Sequence, residues 1–325
     1  MHRNNTLRLG ACLIAIISLP QHTATAAETW PSRPIRMVHG YGPGSSMDTN
    51  ARAIAQKLSE SLGQPVVVEP RPGATGTIAA ELVARSTADG YTLLAFPGSS
   101  LAATPHLQKV RFDTVRDFAP IAAIGEFAYL LAAHPAVPAN GVKELIAIAK
   151  QSPGKISYGS NGTGSSYHLA GELLCMMAGI RMLHVPYKGG GTSAIADLVG
   201  GRVDMMWNNP VFLLPQVNAK KLKAIAVTAS RRMAAMPHVP TIGETVEGYE
   251  MSGYQGIAAP AGTPRDIIDQ VNGAVQRALA TPELKATWTT QGMEAPPRSA
   301  AQFAAMMRAD YSRYGNLIQR LGKVE

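Results

Sequence analysis

Ile35-Arg36-Met37-Val38-His39-Gly40-Tyr41-Gly42-Pro43-Gly44-Ser45-Ser46-Met47-Asp48 is the stretch that decides the fold. A short apolar run, Ile35 to Val38, breaks at Gly40 into a turn rich in glycine and serine, and a helical pattern follows. Ala51, Ile54, Ala55, Leu58 and Leu62 recur with a 3.6-residue period, Arg52, Gln56, Lys57 and Glu60 occupy the opposite face, and Gly63 ends the helix. Strand, glycine-rich turn and helix thus follow one another within thirty residues or so.

The same unit recurs outward from that point. Val66 to Val68 reads as a strand, Ile78 to Val83 as helix, and Thr92 to Phe96 as a strand after the turn Asp89-Gly90. Further on, Leu145–Ala149, Tyr167–Ala178 and Ala194–Val199 read as helices, alternating with strands at Ile156–Tyr158, Leu183–Val185 and Val203–Met206. Such alternation predicts an α/β protein whose sheets are mixed, mainly parallel and flanked by helices. Ligands in such sheets sit beyond the carboxyl ends of the strands. No long Pro/Gly/Ser linker divides the chain, so its two halves are expected to be joined by crossing strands, assigned to Ala119–Ala132 and Leu222–Thr228.

The 325 residues carry 30 Lys+Arg against 22 Asp+Glu, with 46% apolar and 16% charged residues, a composition that excludes disordered and collagen-like chains. This length suggests two domains. Arg3 and Arg8 precede an uncharged run, Leu9 to Leu19, and small residues end at Ala24-Thr25-Ala26. The run is too short to span a bilayer, and the pattern is that of a cleaved signal peptide, residues 1–26. Leu9-Gly10-Ala11-Cys12 has the look of a lipoprotein box, but its apolar run follows the cysteine where it should precede it. Losing 26 residues with Arg3 and Arg8 takes the formal charge from +8 to +6 and leaves Cys175 as the single cysteine of a mature protein beyond the inner membrane. Cys175 stands among Leu173, Leu174, Met176 and Met177, where an inert buried thiol is expected.

A second loop of the same kind, Gly159-Ser160-Asn161-Gly162-Thr163-Gly164-Ser165-Ser166, separates the strand at Tyr158 from the helix at Tyr167. In both loops glycines let a bound group approach the backbone, hydroxyls add donors, and a helix N-terminus supplies unpaired N–H groups and partial positive charge. Each is therefore a candidate anion cradle, the alternative being an ordinary capped turn. Ser165 stands where a Walker loop needs lysine, and no glycine pattern completes a dinucleotide fingerprint. There is no G-x-S-x-G elbow and no H-E-x-x-H, so neither a metal nor a cofactor is expected. Ser166 with His168 is the one arrangement that invites a nucleophile-base reading. Lys and Arg are dispersed, which argues against nucleic acid.

At these residues the sequence resembles the Bug family, the periplasmic solute-binding proteins of tripartite tricarboxylate transporters. The resemblance spans nearly the whole mature chain. It rests on Pro31-x-Arg33-Pro34-Ile35, Pro43-Gly44-x-x-Met47-Asp48, Gly63-Gln64-Pro65-Val66, Gly73-Ala74-x-Gly76, Asp89-Gly90-Tyr91-Thr92, Tyr158-Gly159-Ser160 through His168-Leu169, His184-Val185-Pro186-Tyr187-Lys188-Gly189 and Ala259-Pro260-Ala261-Gly262-Thr263-Pro264. It implies a two-lobed Venus-flytrap fold, with lobe I formed by residues 27–130 and 240–325 and lobe II by residues 131–239. It also implies a carboxylate held between the two loops, by Tyr41, Gly44, Ser45, Ser46 and Asp48 on one side and Ser160, Asn161, Gly164, Ser165 and His168 on the other.

The departures from the family pattern are informative. Family members usually have Pro-Gly-Gly where this chain has Pro43-Gly44-Ser45, and many have an acidic residue where it has Trp207-Asn208-Asn209-Pro210. A neutral Asn208 argues against a ligand amine, and Trp207 is placed to stack on a flat ligand or to pack in the core. The expectation is a monomeric, non-enzymatic periplasmic binding protein for a mono- or dicarboxylate, aromatic ones included, that delivers its ligand to a membrane permease pair. An exported hydrolase on the same fold and an orphan sensor component are the competing readings.

Overall fold

The computed structural model describes residues 29–187, 191–233 and 236–322, so the expected signal peptide, residues 1–26, and Lys188-Gly189 of the seventh motif lie outside it. The first half of the chain runs β1 (Ile35–His39), α1 (Ser46–Leu62), β2 (Val66–Pro70), α2 (Thr77–Ala84), β3 (Thr92–Pro97), α3 (Gly98–Ala102), α4 (Thr104–Leu107), β4 (Phe118–Ala128), β5 (Leu130–Ala133) and α5 (Val142–Gln151). The second half runs β6 (Ser157–Ser160), α6 (Ser166–Ala178), β7 (Leu183–Pro186), α7 (Gly191–Val199), β8 (Met205–Asn208), α8 (Pro210–Asn218), β9 (Lys223–Val227), β10 (Ser252–Pro260), α9 (Arg265–Ala280), α10 (Pro282–Thr290) and α11 (Ala300–Leu321).

Two five-stranded mixed sheets result, ordered β2-β1-β3-β10-β4 and β7-β6-β8-β5-β9. The two follow one plan. In each, the first three strands of the order are parallel, and the fourth, β10 or β5, runs antiparallel to both its neighbours. Both glycine-rich loops leave the second strand of their order, β1 and β6, so they occupy equivalent places at the carboxyl ends of two equivalent sheets.

The sheets are apolar on both faces because helices cover both. In β3, Leu93 and Ala95 enter one core while Leu94 and Phe96 enter the other, the period-2 alternation of a strand buried on both sides. The second sheet does the same, with Leu131, Met205 and Trp207 on one face and Leu130, Ala132 and Met206 on the other.

The first crossing between sheets passes through Tyr129, between β4 and β5, inside the stretch expected from sequence. The second does not fall at Leu222–Thr228. That stretch is β9, held in the second sheet by pairing of Leu130 with Val227 and Leu131 with Ala226, and the chain returns between Thr228 and Ser252. The two passages are tied together: Thr228 N donates to Tyr129 O at 3.0 Å, Tyr129 N donates to Thr228 Oγ1 at 2.8 Å, and Met251 N donates to Thr228 O at 2.8 Å.

The long helix α11 serves both cores. Phe303 and Met307, near its start, pack among Leu94, Phe96 and Tyr254 of the first sheet, while Tyr314, Leu317 and Ile318 pack with Tyr158, Leu174 and Tyr249 against the second. Among the described residues no helix is long and apolar enough to cross a membrane.

Candidate functional site

The first loop is a helix cap elaborated from below. Ser45 is the N-cap of α1, its Oγ accepting from Asp48 N at 3.2 Å. Asp48 sits at the third helical position and reaches back, so that its carboxylate accepts from Gly44 N at 2.9 Å, a variant of the capping box. Gly44 has φ +77°, which a side chain would oppose. Asp48 also accepts from His39 Nε2 at 3.0 Å and from Arg52 Nε at 3.0 Å. Its carboxyl pKa is drawn down to about 2, first by the Arg52 guanidinium and then by the Gly44 amide and His39. His39 is itself wholly buried, and burial lowers its pKa despite Asp48. Tyr41 N donates to His39 Nδ1, so the proton of this ring lies on Nε2, toward Asp48.

The second loop repeats this construction 120 residues on, with one substitution of chemistry. Ser165 caps α6, accepting from His168 N at 3.3 Å, and Gly164 has φ +78°. His168 stands where Asp48 stood. Its Nδ1 accepts from Gly164 N at 2.9 Å. The ring is buried, 2% exposed, and lies parallel to His184 of β7 with centroids 3.7 Å apart. His184 Nε2 is in turn 2.7 Å from Ser160 Oγ, which also bonds within the loop to Gly162.

Of the residues singled out from sequence, Gly44, Ser45, Ser46, Asn161, Gly164 and Ser165 form the exposed or half-exposed lips of the two loops. Tyr41 lies at the cleft end of the first, its hydroxyl donating to Thr75 O at 3.1 Å and lying 2.8 Å from Ser100 Oγ; burial pushes it up to about 12. Asp48, Ser160 and His168 lie underneath, with their polar atoms turned to the loops they support. Trp207 has no exposed surface: it is edge-on to Tyr158 inside the second core, which leaves it no face for a flat ligand in this conformation. Asn208, 1% exposed, closes β8, and its Oδ1 accepts from Asn209 N at 2.7 Å. Ser166 and His168 make no nucleophile-base pair, since Nδ1 is taken by Gly164 and Nε2 faces Glu172 at 3.8 Å. Cys175 is half-buried, and burial raises its thiol to about 12, which keeps it protonated and inert.

Four contributors escaped the sequence reading: Thr75, Ser100, Tyr167 and Asn209. Ser100 follows β3 and Asn209 follows β8, the strands next to those that carry the loops, which places both at the switch point of their sheet. Asn209 caps α8 ahead of Pro210, a readable helix start, and its N–H donates to the Tyr167 hydroxyl at 3.3 Å.

The lobes meet at this level. A Cβ on Gly164 would come within 2.5 Å of Leu107 Cδ1 on α4, so the second loop lies against the first lobe. The Tyr41 hydroxyl is close enough to Tyr167 to help raise its pKa, although burial is the main cause. Both helix N-termini therefore lie where the two lobes meet. A separate groove of about 530 Å³, lined by Leu173, Met176, Met177, Arg313, Leu317 and Arg320, runs between α6 and α11. It is walled by side chains and away from both loops. Among the described residues no cluster suited to a metal ion occurs.

Two mixed sheets joined by crossing strands, with paired helix N-termini at the interface, define a periplasmic-binding-protein fold. Residues 50–323 match the tripartite tricarboxylate transporter family receptor, TctC, and the chain belongs to that family. It is 32% identical over 320 residues to protein BugT of Bordetella pertussis, covering 95% of this chain and 97% of that one. An R. palustris protein solved with adipate superposes with a TM-score of 0.81 at 32% identity, covering 90% of this chain and 98% of that one. MatC of Rhodopseudomonas palustris, solved with bound malate, gives 0.78 at 30% identity, covering 89% and 100%. The family comprises solute-binding receptors and not enzymes, and this chain is one of them.

Proposed function

We propose that the chain is a monomeric periplasmic receptor that captures a small mono- or dicarboxylate between the two loops and hands it to a tripartite-type membrane permease. The observation that carries this reading is the presence of two equivalent helix caps, one from each sheet, where the lobes meet. The first turn of a helix leaves N–H groups without intrahelical acceptors. Ser45 and Ser165 each satisfy one, and Asp48 and His168 satisfy those of Gly44 and Gly164. The remaining amides at Ser46, Met47, Ser166 and Tyr167 are left to receive carboxylate oxygens, directly or through water.

A ligand bridging both loops gains bonds that neither lobe supplies alone, and closure follows from that difference. The malate and adipate of the solved relatives fit this chemistry, as does the lack of a counter-charge for an amine at Asn208 and Asn209. A thermal-shift panel of aliphatic and aromatic mono-, di- and tricarboxylates tests it. The midpoint should rise with the logarithm of concentration for at least one acid, and amines should be silent. No shift with any acid up to millimolar concentration would refute it.

A further inference from the structure

Beneath the second loop His168 and His184 are stacked face to face, centroids 3.7 Å apart and planes within 9°. The two rings engage the loop at different points: His168 Nδ1 takes the Gly164 amide, and His184 Nε2 holds the Ser160 hydroxyl. Because Nδ1 accepts, the proton of His168 lies on Nε2 and the ring is neutral. A second proton at Nδ1 would face the Gly164 N–H and expel it. Two imidazolium rings in this stack would also repel across 3.7 Å. We infer that His168 and His184 act as a neutral imidazole pair that positions the second anion loop, the uncharged counterpart of the Asp48 anchor in the first lobe. This rests on the carboxylate reading given above.

The groups facing the pair agree with this role. From β6, Tyr158 stacks at 5.1 Å on His184 and 6.4 Å on His168. From α6, Glu172 lies 3.8 Å from His168 Nε2, but its Oε1 is taken by the Tyr158 hydroxyl at 2.5 Å; Cys175, on the same helix, lies near Tyr158 and Glu172 and stays protonated. Burial lowers His168 to about 3, with His184 adding to the effect, and lowers His184 to about 4. The two cradles are consequently unequal. The first has a buried carboxylate directly behind its amides, paired with Arg52, whereas the second has an uncharged ring in that place and the Glu172 carboxylate farther back, beyond Nε2.

Nitrogen-15 spectra of the histidine rings and amide exchange at Gly164, on the ligand-free wild type, test the positioning. The expected result is a His168 ring protonated at Nε2 alone, still neutral at pH 5.5, with a Gly164 amide protected at least about tenfold. His168→Asn keeps an acceptor near the Nδ1 position and should retain that protection, whereas His168→Phe should lose it. Adipate titration then reads the neutrality: His168→Asp copies the first lobe's anchor and should bind at least about tenfold more weakly than His168→Asn. Rings that titrate near pH 6.5, or a Gly164 amide that exchanges equally fast in wild type and His168→Phe, would overturn the inference. If the amide is protected as expected and no carboxylate binds the wild type, the positioning stands and the proposed function fails.

Discussion

Replacing Asp48 by Asn is the sharpest test of how the first loop is held. The carboxylate accepts from the Gly44 amide, from His39 Nε2 and from Arg52 Nε, and is itself almost wholly buried. Asn offers one oxygen and turns an NH₂ toward a site where every neighbour is a donor. The charge-dependent part follows from the carboxyl pKa, about 2 in place of 3.8, which corresponds to about 2 kcal/mol at neutral pH. Leaving a buried donor unpaired adds about 1 kcal/mol or more, so a loss of roughly 3 kcal/mol is expected at pH 7. The sign fixes the pH window. A depressed carboxyl pKa contributes fully above the unfolded value and less as pH falls toward the folded one. Urea denaturation at pH 7 and pH 3 should therefore show the wild-type advantage shrinking by about 1 kcal/mol at the lower pH. A difference below about 1 kcal/mol at pH 7, or one that does not change with pH, would refute the anchoring role.

Gly164→Ala should cost about 1–2 kcal/mol in urea denaturation from its φ of +78°, and Leu107→Ala should recover the clash with Cδ1 but not the backbone part. Trp207→Phe should lower stability by about 1–3 kcal/mol while leaving carboxylate affinity within about threefold, since the ring is buried; a large affinity loss at unchanged stability would return Trp207 to the cleft wall. Tyr41→Phe removes the bonds to Ser100 and Thr75 and should cost about 1 kcal/mol, with a measurable loss of ligand affinity by calorimetry because the cleft end of the loop is freed.

Much of this architecture could be read from sequence because its strands are buried on both faces and its helices keep a clean period. Gly63 marks the end of α1 with φ +71°, as a C-cap glycine should. The run Leu222–Thr228 misled because an apolar strand at a sheet edge and one that crosses between sheets have the same composition; only pairing with β5 distinguishes them. The loops themselves were legible from their glycines and serines. Their supports were not, because Thr75 and Ser100 arrive from other strand ends with nothing local to mark them, and the helix start at Asn209-Pro210 does not reveal which loop it faces. Trp207 carried a readable signal: Met205 and Trp207 lie two apart on one strand, so they share a face, and Met205 faces the core. Asp48 and His168 stand among the ligand residues expected from sequence, but their position three past the cap turns each side chain back under its loop.

The span of α11 bears on how such a molecule can be divided. Its 22 residues, about 33 Å of helix, contribute Phe303 to one core and Leu317 to the other, so neither core is complete without this helix. This one helix is thus required by both halves. Premature termination before Tyr314 would open the second core as well as shorten a helix, and the halves would not behave as interchangeable cassettes in a chimaera unless α11 were exchanged along with the surfaces that receive it.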